Sequence, residues 1–589
     1  MDTKSVDLFQ DDDLLIIAQE KESGMNFRKR RHTDWNDNYT LWRDKIITNR
    51  LTQRQTINIP LMKYGLATIM KDIDEPPMLY FECIDNDQQK EIYYNEYWKD
   101  TATKGKLIIK SLVDKRQGLL YGRSFKKLNI QNGRFTFEVI DPQDMLVDRY
   151  IDPADIDTAR CIIQTGIYRT LSSIVENESY LKEGKSILKT YFSDNKTLEA
   201  EKNYTQFVDK EERMANLGLI DVLNPVVGET YIELNEVYRK EFNKKTNEVE
   251  IYLYIIACTS NGMIKLFKEP LEKVIGETDD NFWKTHFPFT TLTTEPERID
   301  FWNDGPADVI RQPNKVLNSW ASQLVENRTL KNFNMHYYDS SNPDFVPQTY
   351  MPETWGWYPT PGNPNDVIKD VAVADLSDSL DELTFIIGIA EKSIAASGTN
   401  NGAVEQRQVT LGEVQLAITN AQERTKSLNT FIIEDWKDFG LKYSKMLEAN
   451  SDSLDPVKIY KKGREGKKIY SKEITPKMYL AKSGYIVEVK MKNDKLAEDA
   501  SVLEKLNATI SVMPNNLPLV NIYKTRLLEF TGMSSTEIKE VMDFEKQNVM
   551  NTPQVTEPMN QQTGQPTAQG STLPQVPDIQ PVNNLQGGQ

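Results

Sequence analysis

Histidine is nearly absent from this 589-residue chain: His32, His286 and His336 are the only three, far apart and in no HExxH or HxH arrangement. Histidine-based dyads and metal centres are therefore not expected. Cysteine is as scarce. Cys83, Cys161 and Cys258 include no CxxC pair, so neither a disulfide framework nor a zinc ribbon follows from them, and a reducing site of synthesis is expected. The longest apolar run, 251–258, falls well short of the roughly 20 residues that cross a bilayer, so no transmembrane helix and no membrane partner are expected. The opening MDTKSVDLFQDDDLLIIAQE is acidic where a signal peptide is basic, so no secretion signal is expected. A basic surplus is also lacking. With 71 Lys and Arg against 87 Asp and Glu the formal charge is −16, which argues against a protein that grips nucleic acid by neutralising phosphates. GxSxG is missing, and the run Gly463-Arg464-Glu465-Gly466-Lys467-Lys468 is too short for a Walker A loop and lacks its Lys-Ser/Thr. An ATP-driven motor is excluded, and no catalytic residues, metal or cofactor are assigned.

What is present is an ordinary globular composition, 39% hydrophobic and 27% charged, in a chain too long for one core. An α+β fold is expected. Helical periodicity runs over 35–50, 59–70 and 88–112, and two alternating segments, 125–130 and 135–140, flank Asn132-Gly133, the strongest short hairpin signal. A second strand pair is expected at 230–240 and 249–258. After residue 303 long helices take over: 304–336 with Pro313 near its first turn, 377–396, and 408–448, which at about 1.5 Å per residue would be roughly 60 Å long. Between the first two lies a segment rich in Pro, Asn and Gly that cannot be helical for most of its length. Further strands at 457–460, 468–470 and 485–491 precede helices at 496–510, 519–530 and 536–547. The Gln/Pro-rich residues 551–589 lack aromatics and are expected to be disordered.

Three passages invite a chemical reading. Arg28-Lys29-Arg30-Arg31 could touch nucleic acid or an acidic partner, but four charges suit a solvated arm or helix end better. Asp141, Asp144, Asp148, Asp152, Asp155 and Asp157 could hold divalent metal for phosphoryl transfer. Two Asp-Pro steps among them point instead to turn and cap chemistry. Gly118 to Ser124 follows a helix and precedes a strand, the reverse of a dinucleotide loop, and a helix-ending glycine explains it.

The order of four passages is similar to that of the portal proteins of tailed bacteriophages. GLLYGRSFKKL (118–128), a strand pair and IDPQDMLVDRYIDPADIDTARCII (140–163) resemble the portal wing, and PFTTLTTEPERIDFWNDGPADVIRQPNKVLNSWASQLVENRTL (288–330) resembles the run into the first stem helix. The turn-rich segment then sits where portals carry the clip, and the small-residue loop with the long helix behind it looks like the tunnel loop and wing helix. The resemblance implies an elongated subunit: a mixed α/β wing at 1–303, stem helices at 304–336 and 376–396 around a small β-containing clip at 337–375, and a tunnel loop at 397–407. A long wing helix with a β return at 408–493, a helical crown at 494–550 and the tail 551–589 complete it.

The resemblance further implies a non-enzymatic, dodecameric ring at the portal vertex of the capsid in the virion, assembled in the host cytoplasm. Its implied partners are the major capsid protein, the terminase large subunit, head-completion or tail proteins, and the double-stranded DNA that passes through. Ser397, Gly398, Thr399, Asn400, Asn401 and Gly402 would line the channel, and Trp355, Trp357 and Tyr358 would serve as clip anchors for docking proteins. Another neck or tail component of the virion, or a metal-dependent nucleic-acid enzyme using the 141–157 carboxylates, are the rival classes. A tail that buries so little surface should be dispensable. Truncation after Met550 is expected to leave the thermal unfolding midpoint and the oligomeric state unchanged by calorimetry and native mass spectrometry.

Overall fold

The structure, a computed structural model, describes residues 12–44, 57–192, 231–244, 247–259, 262–332, 336–338, 368–370, 379–393, 411–462, 468–481, 483–491, 503–510, 517–530 and 541–542. The chain is mixed α and β and divides into two units, Met1–Glu498 and Asp499–Gln589. The first unit opens with α1 (Asp12–Trp42), α2 (Leu61–Ile73), β1 (Pro77–Cys83), α3 (Gln88–Lys104), α4 (Leu107–Tyr121), β2 (Arg123–Gln131), β3 (Arg134–Ile140) and β4 (Met145–Val147). It continues through β5 (Cys161–Thr170), α5 (Leu171–Glu176), α6 (Lys182–Tyr191), β6 (Tyr231–Asn243), β7 (Glu248–Thr259), β8 (Gly262–Pro270), α7 (Leu271–Ile275) and β9 (Phe289–Thr293). Then come α8 (Pro306–Asn332), β10 (His336–Tyr338), β11 (Ile368–Asp370), α9 (Ser379–Ser393), α10 (Leu411–Ala449), β12 (Val457–Lys462), β13 (Lys468–Ile474), α11 (Pro476–Tyr479) and β14 (Tyr485–Met491). The second unit holds helices at 503–510 and Leu517–Phe530.

Local chemistry explains several of these boundaries. Asn132 and Gly133 both adopt positive φ (52° and 71°), the geometry that a two-residue turn needs to pair Gln131 with Arg134. Helix α4 ends on Gly122, whose N–H reaches the Gly118 carbonyl at 2.8 Å with φ 82°. A Cβ there would stand 2.2 Å from the Asn303 carbonyl oxygen, so only glycine fits. The single helix expected over 88–112 is two helices, broken at Gly105 and the left-handed Lys106. The reason is phase: Tyr94, Tyr97 and Trp98 are buried on α3, and continuing their stripe would bury Ile108 and Ile109, which are exposed, whereas α4 buries Leu107, Ser111 and Gly118.

All strand pairs among the described residues are antiparallel. The largest sheet has the order β4-β5-β6-β7-β8, with Leu14 and Ile17 of α1 packed in one cluster with Cys161, Ile163, Val237, Tyr254 and Ile256. Ile174 of α5 and Leu188 of α6 pack in another with Ile232, Leu234, Ala257, Ile264 and Leu266. A smaller sheet, β3-β2-β9, carries the main core together with the C-terminal half of α10. Trp436, Phe439 and Tyr443 meet Phe135 and Phe137 of β3 edge-on, while Tyr443 also reaches Trp98 and Phe81 on the other side. Strands β1 and β14 pair with each other, and Asn95 covers the outer edge of β1 at Phe81, donating to its carbonyl and accepting its N–H.

Two further expectations change. The N-terminal helix spans Asp12–Trp42 rather than starting at 35, and Pro313 lies well inside α8. Pro306 occupies the helix start that had been given to Pro313, and Asp308 caps it by accepting the Gly305 N–H at 2.8 Å. The expected disorder of 551–589 and most of the helix at 536–547 lie outside the described residues. Trp436 is fully buried at the centre of the aromatic cluster. Its replacement by Ala is expected to cost about 3 to 5 kcal/mol in denaturant unfolding, the usual range for a core aromatic.

Candidate functional site

The element with the most distinctive placement is the pair α8 and α9, which pack against each other across an insert. The chain leaves along α8 into β10, returns through β11 antiparallel to it, with His336 opposite Asp370 and Tyr338 opposite Ile368, and comes back along α9. Two short paired strands therefore close the base of the insert. Trp355, Trp357 and Tyr358, expected as docking anchors there, lie outside the described residues, as do Ser397, Gly398, Thr399, Asn400, Asn401 and Gly402 between α9 and α10.

Helix α8 is fixed at its root by polar groups on successive turns. Asn314 donates to the Ile59 carbonyl (3.0 Å) and accepts the Met62 N–H (2.8 Å), Asn318 accepts the Ile59 N–H (2.8 Å), and Ser322 accepts the Ile57 N–H (2.9 Å). Positions 314, 318 and 322 step by four, so one helix face grips the extended segment before α2. A second face of α8, together with the segment 300–304 that leads into it, meets α1 in a ladder of charge. Arg30 pairs with Asp300, Arg31 with Asp304 and Asp308, Asp34 with Arg311 (3.1 Å), and Asp37 with Lys315 (2.5 Å). Of the basic cluster at 28–31, Arg28 and Arg31 are therefore taken up by the fold, while Lys29 and Arg30 stay exposed. Arg31 is buried, and Arg28 donates to the Gln143 and Met145 carbonyls. Other positions remain open: Val309 and Val316 on α8 are 43% and 39% exposed, and Phe385 on α9 is 69% exposed.

Helix α10 brings charge into the core. Lys126 of β2 lies between Asp435 of α10 and Asp114 of α4, all three essentially inaccessible to water, and Ser124 donates to Asp114 at 2.7 Å. Two turns on, buried Lys442 bonds Asp157 (2.7 Å), Asp438 (3.2 Å) and the Phe289 carbonyl (2.7 Å). Burial pushes the Asp435 carboxyl up to about 7 despite Lys126, with Asp114 adding repulsion. Its second oxygen is buried without a partner among the described residues, an arrangement suited to a proton.

The carboxylates at 141–157 perform turn and cap work. Asp141 accepts the Gln143 N–H, Asp152 that of Ala154, and Asp155 that of Asp157. Among the described residues no group of His, Cys, Asp and Glu could hold a metal ion, and no helix is long and apolar enough to cross a membrane. His286 stacks on Phe282 at 3.9 Å, and the three cysteines are buried and unbridged. The buried ions of α10 were missed by sequence reasoning because Asp435, Asp438 and Lys442 look like the solvent face of any helix. No protein-family model matches the chain, and no curated protein matches it significantly.

Because folded Asp435 holds its proton more tightly than the unfolded chain, its contribution to stability is present below about pH 4 and is lost as pH rises through about 7. Chemical denaturation at a series of pH values should show this loss in the natural protein and a flatter profile for Asp435→Asn. Identical profiles would show that the carboxyl is ionised throughout.

Proposed function

We propose that this chain is the portal subunit of a tailed bacteriophage, a ring-forming channel protein at one capsid vertex through which DNA is packaged and ejected. The observation that carries the reading is the helical hairpin α8–α9 around an insert whose base is closed by β10 and β11, followed by a 39-residue helix rooted in a mixed α/β body. In this reading α8 and α9 are the stem, the insert is the clip on which terminase and then head-completion or tail proteins dock, and the body is the wing. Residues 397–407 are the tunnel loop, and the chain does no catalysis of its own.

Physical chemistry supports the assignment in two ways. Val309, Val316 and Phe385 are apolar positions that a lone subunit leaves in water, and neighbouring copies in a closed ring would cover them. The acidic balance suits a conduit, since each Lys or Arg that displaces counterions from phosphate adds binding strength and would hold the moving duplex. The rooting of α8 on both α1 and the 57–62 segment gives the stem a rigid base against which DNA can be driven. Native mass spectrometry of the purified chain, whose mass is 67.8 kDa, is expected to give a closed ring of about twelve copies near 0.8 MDa. Negative-stain images should show the central hole. A folded monomer at every concentration would overturn the reading.

A further inference from the structure

Strands β12 and β13 form a two-stranded ribbon that, among the described residues, joins no larger sheet. Its base is fixed in the core: Val457 and Ile474, opposite each other in the register, are buried, as is Leu454 just before it. From there six to seven residues per strand, at about 3.3 Å each, make an arm roughly 20 Å long. Lys458 and Lys472, the first lysine of each strand counted from the base, are exposed, and Lys472 also bonds the Tyr93 hydroxyl of α3 at 2.7 Å.

The ribbon reverses the charge of the chain. Its two strands carry five lysines, Lys458, Lys461, Lys462, Lys468 and Lys472, against the single acid Glu473, in a chain whose formal charge is −16. Glu473 stands at the base opposite Lys458. At the far end Lys462 and Lys468 occupy directly opposite register positions, a like-charge placement that disfavours a hairpin and that an anion would relieve. Next inward but one, Tyr460 stands opposite Tyr470, and a register shift at Ile459/Tyr460 adds a bulge with its local twist.

We infer that the β12–β13 ribbon binds the phosphate backbone of duplex DNA. A two-stranded ribbon has the width of the major groove, and lysines spread along both strands match an extended polyanion better than a single anionic group. Lysine is a flexible point charge and tyrosine a phosphate donor, so the contact is sequence-independent. The inference goes beyond the ring reading and does not depend on it, since the ribbon and its charge belong to each subunit. It also separates two roles in one chain: an acidic balance overall, and one local arm that holds DNA.

The test uses the full-length chain and a fluorescent random-sequence duplex, read by anisotropy between about 50 and about 200 mM salt. Binding should weaken steeply with salt. The triple variant Lys461→Glu, Lys462→Glu, Lys468→Glu should lose at least tenfold in affinity, with a log–log salt slope shallower by about 3, one unit per lost phosphate contact. The milder Lys461→Gln, Lys462→Gln, Lys468→Gln should fall between, which guards against misfolding of the reversed-charge ribbon. A control with equal charge change at exposed helix positions, Lys63→Glu, Lys71→Glu and Lys189→Glu, should bind within about twofold of the natural protein. Equal losses in control and ribbon variants, or no duplex binding by the natural chain, would overturn the inference, and rings seen in the same sample would leave the portal reading standing. Ribbon-dependent binding of labelled poly-L-glutamate without binding of duplex would overturn it in favour of an acidic protein partner.

Discussion

The close approach of α10 to the β1–β14 pair governs the rest of the first unit. At Gly440 an added Cβ would lie 2.4 Å from Val487 and 3.2 Å from Leu79, so the helix axis can come this near only where it has no side chain. That contact fixes the register of α10. With it fixed, Trp436, Phe439 and Tyr443 enter the aromatic core, and Asp435 and Lys442 arrive opposite Lys126 and Asp157. Buried ions contribute little net stability, because desolvation offsets their attraction, but leaving one unpaired costs about 3 to 5 kcal/mol. They therefore penalise any slide of α10 more than they strengthen the native state. A helix of 39 residues needs such a device, since its apolar pattern repeats every turn and would otherwise tolerate neighbouring registers.

Helix α1 is held differently. Only Leu14, Ile17 and Trp35 of its large apolar side chains are fully buried, with Phe27, Tyr39, Leu41 and Trp42 partly so, and ion pairs run along its length: Asp13 to Lys268, Glu20 to Arg239, Arg31 to Asp304 and Asp308, Asp37 to Lys315. It spans from the five-stranded sheet to the root of α8, and Trp35 closes the seam by packing edge-on against Tyr121 and Trp302 while donating to the Tyr121 carbonyl. The root of α8 is thereby tied to the sheet by a strap rich in charge, in which Arg28 and Arg31 serve the fold.

These constraints bear on the proposed channel in one respect. A subunit that transmits force between an insert and a body needs helices anchored at their roots, and α8 and α10 are each anchored by groups on several elements. The distribution of charge is uneven in the same way. Lys442 of α10 and Lys126 of β2 are consumed in the core, whereas the β12–β13 strands hold five lysines and one acid.

Signals carried by neighbouring residues were legible in the sequence. The Asn132-Gly133 hairpin, β14 over residues 485–491, a helix-ending glycine within 118–124 and the long helix now seen as Leu411–Ala449 follow from turn chemistry and periodicity, which depend on a few adjacent side chains. Strand β1 was not legible: it begins at Pro77, and its partner β14 lies some four hundred positions away. The role of 28–31 was hidden for the same reason, since Asp300, Asp304 and Asp308 come close only when α8 docks on α1. Sequence by itself determined those helices and strands whose turn residues and period are local, and that the chain mixes α and β, because those follow from local backbone preference and period. Only the tertiary structure decided which charges are buried, which glycine sets a register and which strands pair, because each depends on atoms brought together from distant parts of the chain.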